Sequence, residues 1–283
     1  MLRNSLNGQS TDCPSVLVFD SGVGGLSVCQ SILSCCPEVR ILYVADNAVF
    51  PYGTKSENYL RKHIVSVLSQ LCDDLKPEMM VIACNTASTL VLPSLRDRLS
   101  IPVVGVVPAI KPAANASKMG AIGLLATPAT VTRPYTDQLI ADFSPHCDVI
   151  RVGSSRLVEI AEEYFRGVEV NEAELSDITS VFFCESLSRP VDKIVLGCTH
   201  FPLLKQQLKK SALKQVEWMD SGNAIASRVR GLLDEAGFKY DAEINVPLPT
   251  HKIMFTGSKI YNEHFESRVL SLGFYNFEVV GSI

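Results

Sequence analysis

Two cysteines stand where a thiol could carry out proton chemistry. In "VIACNTAS" (81–88), Cys84 closes an apolar run and is followed at once by Asn85, Thr86 and Ser88; in "IVLGCTHF" (194–201), Cys198 closes a second run, followed by Thr199 and His200. Both sit where a strand hands over to a helix. The free N–H groups of a helix start favour an anion, and thiolate is the form of cysteine that acts as base or nucleophile. One thiol beside His200 would read as a nucleophile–base pair. Two thiols in matched settings read as two bases facing each other. Inverting a stereocentre by proton exchange is simplest when one group removes a proton from one face and another returns one to the opposite face. The α-proton of an amino acid is weakly acidic, so such a site must be dry and must stabilise developing negative charge.

Other polar clusters accompany them. In "FDSGVGG", Asp20 and Ser21 precede Gly22, Gly24 and Gly25, which permit a tight turn and close approach of a ligand to backbone N–H groups. A dinucleotide fingerprint would need a glycine where Ser27 stands, so the fingerprint is incomplete, although Asp46 ends the next strand about where a ribose-binding acid would lie. In "FPYGTKS" (50–56), Pro51 and Gly53 fix a turn that leaves Tyr52 on a rim. Glu159 reads as a surface acid or as the group that orients a catalytic histidine, the former being ordinary for a helical glutamate. His200, two residues beyond Cys198, is placed to assist that thiol's proton transfer. Cys13, Cys29, Cys35, Cys36, Cys72, Cys147 and Cys184 read as small apolar filler. The sequence has no C-x-x-C pair, its five histidines lack paired ligand spacing, and no cofactor signature is visible, so neither a metal nor a cofactor is expected.

The elements that must position these residues alternate. Short β-rich runs at 16–19, 41–45, 79–83, 103–107, 121–126, 193–197 and 252–255 are separated by helix-length amphipathic segments such as 56–75, 129–143, 155–165 and 222–236. That rhythm predicts an α/β fold with largely parallel strands, whose carboxyl ends bind ligands. "DSG" recurs at 20–22 and 220–222, and "VIACNT" and "VLGCTH" share a strand–Cys–polar pattern, which suggests two similar half-molecules. A crossover at 108–118 and a return near Asp220–Asn223 predict a first domain of 1–109 plus 223–283 carrying Cys84, and a second of 110–222 carrying Cys198.

The chain has 283 residues, enough for two domains, with 47% apolar and 20% charged residues. A net charge of −4 without a block of like charges points away from nucleic acid and anionic membranes. No apolar run approaches the roughly 20 residues of a membrane span, and the polar "MLRNSLNGQSTDCPS" lacks the apolar middle of a signal peptide. Nine cysteines without a repeating spacing suit a reducing compartment, so a cytoplasmic location is expected.

Taken together, "FDSGVGG", "PYG", "ACNTAS", "IPVVGVVPAIKPA", "GLLATPATV" and "GCTHFPLL" closely resemble the glutamate racemases, from about residue 15 to about residue 237. The resemblance implies two doubly wound parallel-sheet domains related by a pseudo-twofold axis, with the active site in the cleft between them. It implies cofactor-independent interconversion of L- and D-glutamate, supplying D-glutamate for peptidoglycan. By motif, Cys84 would deprotonate D-glutamate and Cys198 L-glutamate. Substrate contacts would fall on Asp20, Ser21, Tyr52, Gly53, Asn85, Thr86, Thr199 and His200. "GLLATPATVTRPYT" looks like the proteobacterial branch, in which some members are monomers activated by UDP-N-acetylmuramoyl-L-alanine and others in the family are dimers. An aspartate racemase with the same paired cysteines, or a two-domain protein that clamps an amino acid without chemistry, are the rival readings. Paired thiols argue against the second.

Overall fold

A computed structural model describes residues 13–238, 249–258 and 262–281. Most of the polar "MLRNSLNGQSTDCPS" stretch, residues 1–12, lies outside the described residues. In chain order the strands are β1 (Ser15–Asp20), β2 (Arg40–Ala45), β3 (Met79–Ile82), β4 (Val103–Gly105), β5 (Ala121–Ala126), β6 (Asp148–Gly153), β7 (Lys193–Leu196), β8 (Glu217–Met219), β9 (His251–Phe255) and β10 (Phe274–Val279). They form two wholly parallel sheets, ordered β10-β9-β2-β1-β3-β4 and β6-β5-β7-β8.

The same order, second–first–third–fourth, occurs in each half: β2-β1-β3-β4 and β6-β5-β7-β8. Each half therefore reverses its winding beside its first strand, the place where doubly wound sheets open a ligand crevice. β3 and β7 are equivalents, so the two cysteine motifs occupy matching positions. The "DSG" pair is different. Asp20 ends β1, whereas Asp220 follows β8, the counterpart of β4. What these triplets share is local: each aspartate accepts the N–H two residues on, Gly22 at 3.0 Å and Gly222 at 3.0 Å, opening a strand-to-helix turn.

Central strands explain the apolar runs. β1 is buried throughout; Val16 and Val18 face the core shared with the helices Leu26–Cys35 and Gly222–Glu235, and Leu17 and Phe19 face the core shared with Glu57–Leu75 and Asn85–Arg98. A strand covered on both faces gains about 1.5–3 kcal/mol per large apolar side chain from either side. All seven runs read from the sequence fall on strands. The runs missed β6 and β10, edge strands with charged residues among their apolar ones, and β8, three residues long. The segment 129–143 is broken before Pro134 into the helices Pro128–Val131 and Pro134–Phe143.

After β4 the chain enters the second sheet's layer through the helix Ile110–Ala116, which packs on β5 and β7. After β8 it returns through Gly222–Glu235, which packs on Leu26–Cys35. The two crossings touch where Ser221 Oγ donates to the Val107 carbonyl at 2.6 Å. No helix among the described residues is long and apolar enough to cross a membrane.

Candidate active site

The carboxyl ends of β1 and β3 face those of β5 and β7 across a cavity of about 110 Å³, well below the ~300–1,000 Å³ of a drug-sized pocket. Ser21, Tyr52, Gly53, Cys84, Asn85 and Thr86 line it from the first half, and Cys198, Thr199 and His200 from the second. Asp20 stands behind Ser21, fully buried. The residues singled out in the sequence are thus brought together. Phe50, Thr127, Thr130, Ser155 and Val158 also line it.

Cys84 caps the helix Asn85–Arg98 and is 7% exposed, with its sulfur 3.9 Å from Ser21 Oγ. The helix start was expected to favour thiolate, but the structure reverses this. Burial first, and then the charge of Asp20, push the Cys84 thiol up to about 12, outweighing the Ala87 N–H and the Ser21 hydroxyl; Cys198 adds to the rise. One N-terminal amide and one hydroxyl cannot offset loss of water next to a buried carboxylate. Cys84 therefore rests as the thiol.

Cys198 has different company. Its sulfur lies 3.8 Å from His200 Nδ1, and His200 Nε2 lies 2.9 Å from Glu162 Oε1. Burial works against a charged imidazole, yet the contacts with Cys198 and Glu162 prevail and hold the His200 pKa well above its ordinary value. Burial likewise opposes the Glu162 carboxylate, while the His200 bond and charge, the Val23 N–H and Arg166 hold its pKa below the usual range. The setting thus favours the protonated ring beside Cys198, anchored by an acid.

Glu162 is the residue the sequence reading missed. Glu159, one turn earlier, joins Glu163 and Glu174 around Arg156 at the surface and does not reach His200, although it borders the cavity. The signal was an acid within the stripe Val158, Ala161, Glu162, Phe165, otherwise apolar and buried.

The glycines have a different purpose from the one expected. A Cβ on Gly24 would come within 2.6 Å of His200 Nδ1 and Thr199 Oγ1, and one on Gly22 would overlap Glu162 Oε1. They let the second half's histidine and glutamate approach the first half's backbone. Val23 N–H donates to Glu162 Oε1 at 3.0 Å, Thr199 Oγ1 donates to Asp20 Oδ2 at 2.9 Å, and Ser27 Oγ donates to the Thr199 carbonyl at 2.9 Å. Burial raises the Asp20 pKa above the usual carboxylate range, partly offset by His200, Thr199 and the Gly22 N–H.

Tyr52 is not on the rim. It is 3% exposed, and its hydroxyl donates to Asp46 Oδ2 at 2.5 Å; exposed Gly53 takes the rim. Asp46 also meets His63 Nε2 at 2.7 Å and accepts from Thr256 Oγ1 at 2.6 Å, so it holds the Tyr52 loop in place and binds no ribose. Asn85 is 6% exposed and its Oδ1 has no hydrogen-bond partner, an acceptor available to a ligand's N–H. Of the cysteines read as filler, Cys29 and Cys36 are buried, but Cys13, Cys35 and Cys184 are exposed and Cys72 and Cys147 half-buried. Cys29 and Cys36 fall at helical spacing with buried Leu26 and Ile32, and Cys35 falls off that stripe.

Residues 16–229 match the family described as Asp/Glu/Hydantoin racemase. The chain is 49% identical over 241 residues to a glutamate racemase of Aliivibrio fischeri, covering 84% of this chain and 89% of that protein. It is 52% identical over 218 residues to a glutamate racemase of Vibrio parahaemolyticus, covering 77% and 78%. Among solved structures it resembles Escherichia coli glutamate racemase in complex with L-glutamate and the activator UDP-MurNAc-ala, with a TM-score of 0.86, 39% identity, and coverage of 95% of this chain and 99% of that one.

Proposed function

The chain belongs to the Asp/Glu/Hydantoin racemase family, among its glutamate racemases, and on that premise we propose that it interconverts L- and D-glutamate by two opposed cysteine bases. The observation that carries this reading is the matched placement of Cys84 after β3 and Cys198 after β7, on one cavity, with opposite electrostatic settings.

From L-glutamate, Cys198 as thiolate beside the His200 cation takes the α-proton, and the electron pair left on the α-carbon delocalises into the α-carboxylate. Cys84, resting as thiol, gives its proton to the opposite face, which yields D-glutamate and leaves Cys84 as thiolate. From D-glutamate the roles exchange. The substrate's ammonium group beside Asp20 and Asn85 Oδ1 supplies the countercharge that a Cys84 thiolate otherwise lacks. Ser21, Tyr52, Gly53, Thr86 and Thr199 are assigned to substrate contact. Thr127, the counterpart of Ser21 when β5 is laid on β1, is added to them.

We assign residues 1–109 plus 223–283 to one domain and 110–222 to the other, supported by the sheet membership of β4, β5 and β8 and by the packing of the helices that follow them. A cytoplasmic role in providing D-glutamate for peptidoglycan follows from the same reading. So does activation by UDP-N-acetylmuramoyl-L-alanine, which the likeness to the E. coli complex supports; activity and mass in solution with and without that nucleotide sugar test the activation and whether the chain is a monomer or a homodimer.

The decisive experiment runs each enantiomer in deuterated water and stops early. A thiol carries one proton, so the product takes solvent deuterium from the second cysteine while recovered substrate stays largely unlabelled. Product that retains the substrate's own hydrogen would overturn the two-base reading. Label in aspartate and none in glutamate would reassign the substrate.

A further inference from the structure

The two bases belong to different halves of the molecule, so the distance between them is set by whatever ties the halves together. Around Cys198 the ties are those of Thr199 to Asp20, Ser27 to Thr199 and Glu162 to Val23. The opposite wall, the start of the Cys84 helix, has a tie of its own from the second half. Arg133, which precedes the helix Pro134–Phe143, extends Nη1 to the Thr86 carbonyl at 3.1 Å and to Thr89 Oγ1 at 2.5 Å. Its Nε lies 3.3 Å from Glu57 Oε1 without a directed hydrogen bond, and the side chain is 11% exposed.

We propose that Arg133 is a positioning residue for the racemisation: a latch from the second domain that fixes the first turn of the Cys84 helix and thereby the separation of the two cysteines and the closure of the cleft.

Three observations point this way. Thr86 lines the cavity two residues beyond Cys84, so a bond to its carbonyl acts one turn or less from the thiol. Thr89 Oγ1 donates to that same carbonyl at 3.0 Å while accepting from Arg133, which makes a closed set of three polar groups with donors and acceptors in order. The guanidinium is mostly buried against neutral acceptors, and its acidic partner Glu57 is 62% exposed, so the ion pair itself contributes little. The geometry of the tie, more than its charge pairing, is therefore what Arg133 provides. A shift of about 1 Å between reacting groups costs on the order of 100-fold in rate.

The inference rests on the glutamate racemase reading, and its test separates the two. Wild type, Arg133→Ala, Arg133→Lys, Thr89→Val and Glu57→Gln are assayed with both enantiomers in deuterated water, with a thermal melt of each. Arg133→Ala should lower kcat roughly 10- to 100-fold in both directions. It should also let deuterium appear in recovered substrate, because a loosened cleft allows the abstracting thiol to exchange with solvent before it returns its proton. Thr89→Val should show the same labelling to a lesser degree, non-additively with Arg133→Ala; Arg133→Lys should recover part of the rate, and Glu57→Gln should behave as wild type. A variant that lost rate only in proportion to unfolded protein, or that kept the wild-type labelling pattern, would overturn the latch. Failure of the wild type to racemise glutamate would overturn the functional reading instead.

Discussion

Glu162 bonds His200 Nε2 at 2.9 Å, and the same carboxylate oxygen accepts the Val23 N–H from the other half of the molecule. One acid thereby joins Cys198 in favouring the charged form of the histidine, and fastens it to the loop that follows β1.

That relationship gives a pH dependence with a definite sign. The Glu162 carboxylate raises the His200 pKa, so Glu162→Gln should let the ring lose its proton at lower pH. The alkaline limb of kcat/KM from L-glutamate should move to lower pH, with a drop of about 10²-fold or more at neutral pH. A pH–rate profile checks this; an alkaline limb in its wild-type place would show that Glu162 does not set the His200 charge.

Removing either base should stop the reaction. Cys84→Ala and Cys198→Ala should each lower racemisation by roughly 10³-fold or more with the melting temperature nearly unchanged. Cys184→Ala, exposed on the second half, should keep wild-type turnover. Near-normal rates in both directions from Cys84→Ala would contradict the assignment of that thiol.

Asp20 is the second cause, after burial, of the high Cys84 pKa. Asp20→Asn should therefore lower it, and alkylation of Cys84, followed by peptide mass mapping over a pH series, should begin at lower pH than in wild type. Exposed Cys13, Cys35 and Cys184 serve as internal references. An unchanged alkylation curve for Cys84 would mean that Asp20 does not control this thiol.

Asp46 makes a prediction about stability. Burial opposes its ionisation, but bonds from His63, Thr256 and Tyr52 hold its pKa below the usual carboxylate range. A carboxylate depressed in the folded state contributes stability that is present above its unfolded pKa, about 4, and is lost as pH falls through the folded value. Asp46→Asn should cost about 2–4 kcal/mol at pH 7 and should flatten the acid side of the stability curve. Denaturant melts between neutral pH and pH 3 measure both effects; equal slopes in the two proteins would refute them.

The sequence alone determined the α/β class and singled out residues that the fold gathers on one cavity, because both are written locally. A strand buried on both faces must be apolar along its length, and a polar residue directly after it must lie at the strand's carboxyl end; Cys84 and Cys198 obey this rule. The weak edge strands β6, β8 and β10 escaped because half-exposed or very short strands leave no such run. What only the tertiary structure decided is what the halves do to each other. Glu162 reaches His200, Gly22 and Gly24 make room for them, and Arg133 reaches Thr86, all through contacts between residues far apart in the chain. The Cys84 thiol shows the physical reason most plainly. Its place at a helix start, legible in sequence, favours thiolate, but burial and the charge of Asp20 act through space and in low dielectric, and they prevail.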